Sequence, residues 1–350
     1  MLKPKPNVDE VLPLEWEDGQ PVILQSPKAI KPKIESKALP SGVENIYDAF
    51  AYFLRAEVAS GDATQDTVEA YHREVGNWIK WCRARDLLPE DAQGYHLEAF
   101  REELKRRGLS IATRAHKLSI IRRFYESAVY VGLREDNPAA DVWAGKDPTS
   151  PEEKLKILSE KALAALVLSL PHEGLSGLRD RAVVALMAAH GLRRVEIQRL
   201  NHESVVGNQR SSEPCSLLVD GRGHKVRRVF LRDDTWATLA AYFHEKEQAG
   251  YALQNAIFVG HGNNGRGQRL SRVSINAIVD KYLNAAHLKG IGVSCHALRH
   301  TFGTISIANG ADLEHLRNTM GHALIETTGV YVKAVQKGKD NPAFFINVEF

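Results

Sequence analysis

The sequence is poor in cysteine and in long apolar runs, and each shortage excludes a class of protein. Its three cysteines, Cys82, Cys215 and Cys295, lie far apart, with no CxxC pair and no even framework. This usage indicates a reduced, intracellular protein. No stretch is long and apolar enough to span a bilayer, and the first residues lack a signal-peptide core. We therefore expect a cytoplasmic protein.

Net charge is also small, because 46 Lys and Arg residues face 43 Asp and Glu residues and leave a formal charge of +3. A nucleic-acid partner must therefore be argued from local basic clusters. The 350 residues are 43% hydrophobic and 25% charged. That balance is typical of a globular protein with enough apolar material for two cores.

Proline is concentrated at the start of the chain, where residues 1–42 hold seven of the 14 prolines. Lysine is also frequent there, and no helical period is visible. Proline at this density blocks helices and central strands. Residues 1–42 are predicted to form an extended or disordered arm, either solvated or in contact with a partner.

Residues 43–142 show apolar side chains at spacings of three and four, the period of a helix. Four helices are predicted, and the two longest begin at Thr64, which can cap a helix, and at Ser110. The second long helix is expected to end near Val131, before Pro138. This segment is predicted to be a helical bundle.

The composition changes to Gly, Asp, Pro, Ser and Thr between 143 and 154, which indicates a linker. Residues 155–335 then mix helical periods with two short strands, 216–220 and 226–231, around a basic turn. The fold class is therefore mainly α with a small antiparallel β-sheet. The tail, 336–350, ends in apolar residues and is expected to dock in its own fold or, as we prefer, on a neighbouring subunit.

Three short blocks of the second domain combine arginine, histidine and tyrosine, at residues 191–196, 296–300 and 321–331. Phosphodiester cleavage builds negative charge on the non-bridging oxygens, which guanidinium groups or a metal ion can neutralise. The metal route needs clustered carboxylates, which these blocks lack. Arg193 and Glu196 are three residues apart, so the carboxylate can hold the guanidinium in place.

Four histidines also lie close in sequence, at His296, His300, His315 and His322. Their spacings do not match a zinc site, and none pairs with a cysteine or carboxylate at ligand spacing. We therefore predict no metal site. His300 and His315 are interpreted as core or surface histidines.

In their order, the blocks Gly-Leu-Arg-x-x-Glu, His-x-Leu-Arg-His-Thr-Phe and Gly-His-x-x-x-x-Thr-Thr-x-x-Tyr resemble the catalytic signature of the tyrosine recombinases, the phage-integrase-like family. The resemblance extends more loosely to the helical first domain. It implies a two-domain DNA clamp, with a helical core-type DNA-binding domain and a mixed α/β catalytic domain. Such proteins cut and rejoin DNA through a 3′-phosphotyrosine, without metal, ATP or other cofactor.

The resemblance also implies a role for each matching residue. Tyr331 would attack the scissile phosphate, His296 would act as general base, and His322 would hydrogen-bond the phosphate. Arg193 and Arg299 would hold the non-bridging oxygens, with the Glu196 carboxylate orienting the first of them from behind.

The general acid departs from the family pattern. A lysine usually stands in the hairpin turn after the first glycine, but here that position is Arg222. A guanidinium is a poor proton donor, so the role is assigned to Lys225, three residues later. The alternative is that Arg222 binds phosphate while Lys225 contacts DNA structurally.

Other basic residues are expected to contact DNA from the long helix of the first domain and from the hairpin and a later loop of the second. They are Arg114, Lys117, Arg122, Arg123, Arg222, Arg227, Arg266 and Arg269. The implied partners are double-stranded DNA with inverted-repeat sites and a homotetramer assembled on it, with room for an accessory protein. The alternatives are a non-catalytic architectural protein on the same fold and a DNA-relaxing topoisomerase of the tyrosine type.

Overall fold

The computed structural model divides the chain into two compact units, Met1–Gly145 and Lys146–Phe350. The structure is mostly helical, with one three-stranded antiparallel sheet, which confirms the predicted fold class. The residues that it describes are 16–17, 20–21, 42–56, 65–207, 215–221, 225–251, 255–262, 265–290 and 292–339.

Within the proline-rich arm the structure describes one short antiparallel pair. Strand β1, Trp16–Glu17, pairs with β2, Gln20–Pro21. Most of the predicted arm, including residues 1–15 and 22–41, lies outside the described residues.

The described residues of the first unit form four α-helices, all on segments where the apolar period predicts them. Their bounds are α1 Ile46–Ala56, α2 Gln65–Arg83, α3 Gly94–Arg106 and α4 Ile111–Tyr130. The sequence predicts a helix from Ser110, and this residue caps α4 by accepting a hydrogen bond from the backbone N of Thr113 at 3.2 Å. The expected cap of α2, Thr64, lies outside the described residues.

The core of this unit is built on aromatic side chains of α2 and α4. Trp78 is fully buried and stacks on Trp81, with ring centroids 5.1 Å apart. Its Nε1 donates to Tyr125 Oη at 2.9 Å, and that hydroxyl donates to Pro89 O at 2.9 Å. Every polar atom of this chain of bonds is therefore satisfied, which a dry core requires.

The second unit packs its helices around α6. Val183, Leu186 and Met187 of α6 are fully buried, because α8, α9 and α10 cover the helix on different sides. The helices are α5 Glu160–Leu168, α6 Leu175–Ala188, α7 Arg194–Arg199, α8 Asp233–Gln248, α9 Arg272–Ala285, α10 Cys295–Ala308, α11 Leu313–Met320 and α12 Ile325–Lys339.

The sheet of this unit contains the predicted hairpin and one additional strand. Its strands, in the order β3-β4-β5, are β3 Val205–Val206, β4 Ser216–Asp220 and β5 Val226–Phe230. Leu217 pairs with Val229, and both are buried on the inner face. Side chains alternate between the faces of a strand, so Arg227 also points inward while Arg228 is exposed.

Candidate active site

The first block begins where the chain turns between α6 and α7. Gly191 has a φ of +65°, a conformation that glycine adopts without strain. A Cβ at this position would collide with the ring of Phe302 on α10. Because Gly191 has no side chain, Phe302 can pack directly against it. This contact brings the first and second blocks together.

Arg193 is the residue before α7, and it is held by Glu196. The carboxylate accepts from the Arg193 backbone N at 2.7 Å and from its Nη1 at 2.8 Å. Burial raises the pKa of this carboxyl. Hydrogen bonds from Arg227, with the charges of Arg227 and Arg193, more than offset that effect and hold the pKa below its ordinary value. Glu196 is therefore ionised at neutral pH.

The structure gives Arg227 a use that differs from the predicted DNA contact. Its Nη1 and Nη2 donate to the two oxygens of Glu196 at 2.9 and 2.8 Å, and its Nε donates to Thr319 O at 2.8 Å. Only 12% of the side chain is exposed. Arg227 points inward because side chains alternate between the two faces of β5. The sequence-based prediction had placed this charged residue on the surface.

Arg299 lies deep beside the first block, on the second turn of α10. Its Nη1 donates to Gly191 O, and its Nη2 donates to Met320 O at 2.7 Å and to His322 Nε2 at 2.9 Å. Burial and the charge of Arg193 lower the pKa of Arg299 to about 9. The group remains a cation at neutral pH.

The C-terminal end of α11 gathers arginine side chains around successive carbonyl oxygens. The carbonyls are those of Thr319, Met320 and Gly321, and the arginines are Arg193, Arg227 and Arg299, at distances of 2.7–3.2 Å. Carbonyls at a helix end lack helical partners and form the negative end of the helix dipole. This end therefore orients three cationic groups that would otherwise repel one another.

His322 follows this helix end and joins it to α12. Since Arg299 can only donate, His322 Nε2 is the acceptor in their bond, and Nδ1 then donates to Thr328 Oγ1 at 2.9 Å. Burial, followed by the charges of Arg299 and Arg193, lowers the pKa of His322 to about 3. The imidazole is neutral with a defined tautomer.

Tyr331 lies on α12 with only 3% of its surface exposed. Its Oη is 3.1 Å from His300 Nδ1, and its ring packs against α10 at Gly303, where a Cβ would stand 2.7 Å from the ring. Burial raises the pKa of the phenol, although the charges of Arg299 and Arg193 lower it. The hydroxyl is therefore protonated, and the charges of both arginines act on it.

His296 begins the same helix one turn before His300, with ring centroids 6.0 Å apart. Partial burial of the ring lowers the pKa of His296, and the charges of Arg299, Arg194 and Arg193 lower it further. The residue is nevertheless exposed to solvent. The imidazole that contacts the phenol is that of His300, which the sequence assigned to the core or surface.

Lys225 is exposed at the C-terminal end of the hairpin turn, where its carbonyl accepts from Gly221 N at 2.9 Å. Arg222, the other residue weighed for the general acid, lies outside the described residues. The assignment of the acid to Lys225 stays a prediction.

Two basic residues of α4 that were expected to contact DNA have other surroundings. Arg114 is only 7% exposed, and its Nε has no hydrogen-bond partner within the described residues. Lys117 forms an ion pair with Glu74, and 18% of its side chain is exposed. Neither position matches the exposed cationic helix face that was expected to contact DNA, because Arg114 is buried and Lys117 is held by Glu74.

The other two predicted residues of α4 differ from each other. Arg122 donates to Ala139 O and Val142 O, both at 3.1 Å, and so fixes the segment after the helix. Arg123 is 56% exposed, and within the described residues it pairs with Glu126, one turn away. Of the four, Arg123 is the one placed to meet a phosphate.

The later loop of the second unit also uses its arginines locally. Arg269 Nη1 donates to Gln198 O at 2.7 Å and to Leu200 O at 3.1 Å, which ties the loop to the end of α7. Arg266 Nε donates to Tyr251 Oη at 2.9 Å. Neither interaction was visible in the sequence, because both join segments distant in the chain.

The residues that the structure describes hold neither a metal-binding cluster nor a membrane-spanning helix. Among them, no group of three or more His, Cys, Asp or Glu side chains could hold a metal ion. In the same part of the chain, no helix has the length and apolar character needed to cross a membrane.

The fold and the site together define a class of protein. Guanidinium groups beside a tyrosine hydroxyl can stabilise the charge that develops when a phenol attacks a phosphodiester. A neutral imidazole in contact with the same hydroxyl can take its proton. The class is a phosphoryl transferase with a tyrosine nucleophile.

Comparison with known proteins identifies the family. Residues 156–337 match the phage integrase family, and residues 53–131 match the phage integrase N-terminal SAM-like domain. The chain belongs to the phage integrase family of tyrosine recombinases, which cut and rejoin DNA through a covalent link to tyrosine. This membership confirms the predicted recombinase and does not favour the non-catalytic or topoisomerase alternatives.

Among curated relatives, the tyrosine recombinase XerD of Xanthomonas axonopodis pv. citri is 31% identical over 290 residues, covering 80% of this chain and 90% of the relative. XerD of Caulobacter vibrioides is 30% identical over 288 residues, covering 81% and 90%. The match therefore spans both units rather than the catalytic unit alone.

Two solved structures show the same fold. XerH recombinase bound to its palindromic difH substrate has a TM-score of 0.64 at 18% identity, covering 88% of this chain and 99% of that one. A lambda integrase dimer bound to a COC′ core site has a TM-score of 0.60 at 17% identity, covering 81% and 94%.

Proposed function

We propose that this chain is a site-specific recombinase in which Tyr331 attacks the scissile phosphate. The attack forms a bond from Tyr331 Oη to phosphorus and breaks the bond to the 5′-oxygen, which leaves a 3′-phosphotyrosine and a free 5′-hydroxyl. The observation that carries the proposal is the grouping of the phenol with Arg299 and His322. The His322 and Tyr331 rings are 6.2 Å apart, and His322 bonds Arg299 at 2.9 Å.

Arg193 and Arg299 would neutralise the non-bridging oxygens. A guanidinium has five N–H donors, and the bonds of Arg299 to Gly191, Met320 and His322 use three of them within the described residues. Those bonds orient the plane of the group and leave two donors for phosphate. Arg193 is the more accessible of the two, with 30% of its side chain exposed.

The phenol proton needs an acceptor as the attack begins. His296 is proposed as the general base because the family resemblance implies it, and its exposed ring can meet DNA. His300 holds the phenol while no DNA is bound, at 3.1 Å from Tyr331 Oη. Since catalytic hydrogen bonds often form only in the substrate complex, the unbound contact with His300 is compatible with this role.

The general acid is proposed to be Lys225, and a sulfur leaving group tests this. We expect Lys225→Ala to slow cleavage by about 10²-fold, the usual contribution of a positioned acid. Replacing the 5′-bridging oxygen with sulfur should remove most of that loss, because a thiolate leaves without a proton. The comparison is single-turnover adduct formation on oxygen and sulfur substrates.

Lys281→Ala is the control for that experiment, because its ammonium lies on α9 beside Tyr282 and Asp180. Loss of cleavage in Lys225→Ala that persists equally on the sulfur substrate would move the acid to another group, such as Arg222.

The substrate is proposed to be double-stranded DNA with inverted repeats around a short spacer, bound by a homotetramer. Support comes from XerH, which is bound to a palindromic substrate, and from lambda integrase, which is a dimer on its core site. We further propose that the tail, 336–350, docks on a neighbouring subunit. Residues 340–350 of that tail, and most of the arm 1–42, lie outside the described residues.

Cleavage specificity tests the proposed function. A nicked substrate that carries inverted repeats from DNA flanking the gene should trap a covalent protein–DNA adduct, while the same DNA with scrambled repeats should not. The adduct is measured as a shifted band in a denaturing gel. Absence of an adduct on every flanking repeat would favour the non-catalytic alternative, and relaxation of a plasmid without such repeats would favour the topoisomerase.

A further inference from the structure

We propose that Arg227 is a positioning residue that sets the phosphate-binding conformation of Arg193 through Glu196. The inference rests on the proposed function, since it concerns how one of the two phosphate arginines is held. Arg227 stands on the inner face of β5 and does not belong to the family motifs that the sequence revealed. Its assignment comes from the structure alone.

The first observation is that Arg227 and Arg193 divide the four acceptor positions of one buried carboxylate. Glu196 Oε1 accepts from Nη1 of each arginine, at 2.8 Å from Arg193 and 2.9 Å from Arg227. Oε2 accepts from the Arg193 backbone N at 2.7 Å and from Arg227 Nη2 at 2.8 Å. Glu196 is only 2% exposed. The Arg227 fork therefore leaves the carboxylate a single orientation, the one that holds Arg193.

The second observation is that Arg227 also fixes the other support of Arg193. Its Nε donates to Thr319 O, while Arg193 donates to Met320 O and Gly321 O, each at 3.2 Å. A Cβ at Gly321 would lie 2.9 Å from Arg227 Nη1. The glycine of the third block therefore lets Arg227 reach the end of α11.

The difference in burial between Arg227 and Arg193 indicates that Arg227 positions the carboxylate and Arg193 meets the phosphate. The side chain of Arg227 is 12% exposed, that of Arg193 is 30% exposed, and the carboxylate lies between them. An arginine on the surface has many rotamers, and confining it costs entropy unless neighbours hold it. Arg227 supplies that constraint, so Arg193 can meet a phosphate without reorganising first.

The test compares Arg227→Gln and Arg227→Lys with Arg228→Gln, which removes the exposed arginine on the opposite face of the same strand. We expect adduct formation at saturating protein to fall about 10²-fold for Arg227→Gln, the cost of misplacing a catalytic group by about 1 Å. Arg227→Lys keeps the charge but not the fork, and should lose about tenfold. Arg228→Gln should stay within about twofold, in the range of surface substitutions.

A neutral substrate separates positioning from general loss of structure. A methyl group in place of one non-bridging oxygen removes the negative charge of the scissile phosphate. Less charge then remains for Arg193 to neutralise. The loss in both Arg227 variants should then shrink at least about tenfold, as it should for Arg193→Ala. The Arg227→Gln and Glu196→Gln losses should also fail to multiply when combined, because both act through the same pair.

Thermal denaturation of each variant shows whether it is folded, and Arg227→Lys remains informative where Arg227→Gln unfolds. Equal losses on the charged and neutral substrates, or full activity of a folded Arg227→Lys, would overturn the proposal. Wild-type protein that forms no adduct on either substrate would instead overturn the proposed function.

Discussion

Replacing Tyr331 with phenylalanine is expected to abolish covalent adducts while DNA binding persists. Phenylalanine retains the ring that packs on Gly303 and against Leu316 and Met320. Only the hydroxyl and its bond to His300 are lost, which costs about 0.5–1.5 kcal/mol of stability. Strand cleavage has no substitute nucleophile in this mechanism, so the adduct should be undetectable. The measurement is trapping on the nicked substrate, with binding followed by gel shift.

Tyr282→Phe provides the matched control. Tyr282 is also buried, 4% exposed, and its hydroxyl donates to Asp180 Oδ2 at 3.0 Å. This variant loses that hydrogen bond and the one that the hydroxyl accepts from Lys281 Nζ at 3.2 Å, both in the same unit, but should form adducts normally. Adducts in Tyr331→Phe at the wild-type rate would identify a different nucleophile.

The elements that carry the site were predictable from local sequence. The period of three and four residues predicts α4, which begins directly after Ser110 as expected. Two short apolar runs around a basic, glycine-flanked turn predict β4 and β5. Each of these signals is contained in one segment, because the chemistry of caps and faces depends on neighbours in the chain. The two-residue β3 is too short to show a period.

The contacts that organise the site were not predictable in the same way. His300 and Arg227 each touch a motif residue on another element, Tyr331 on α12 and Glu196 on α7. A single sequence gives no pairing between distant segments, so a buried arginine such as Arg227 looks identical to a DNA-binding one. The alternation along β5 was the available signal, since it places Arg227 on the same face as the buried Val229.

The motif residues themselves acquire physical reasons from the structure. Gly191 is required where Phe302 approaches, and Gly321 is required where Arg227 reaches the end of α11. The second threonine of the third block, Thr328, is fully buried and bonds His322. These small residues are therefore positions where the site needs space or one hydrogen bond, rather than groups that meet the DNA.

Replacing Arg299 with alanine is expected to lower adduct formation at saturating protein by about 10²–10³-fold, the usual effect of removing a transition-state donor. The change also leaves Gly191 O without its arginine partner, whereas Met320 O loses Arg299 and keeps Arg193. Each unsatisfied buried acceptor costs about 1–3 kcal/mol, so the melting temperature should fall as well. Arg317→Ala is the control, because its ion pair with Glu314 is on the surface and contributes little.

A histidine titration distinguishes this loss of charge from a loss of structure. Burial is the main reason that the pKa of His322 is near 3, and the Arg299 cation is the next largest. Removing a positive charge favours protonation of the imidazole, so the His322 pKa should rise towards its ordinary value of about 6.5. The ring signal of His322, followed by NMR from pH 3 to 8, should titrate at a higher pH in the folded Arg299→Ala protein than in the wild type. An unchanged His322 titration in that protein would mean that Arg299 does not set the charge around the phosphate site.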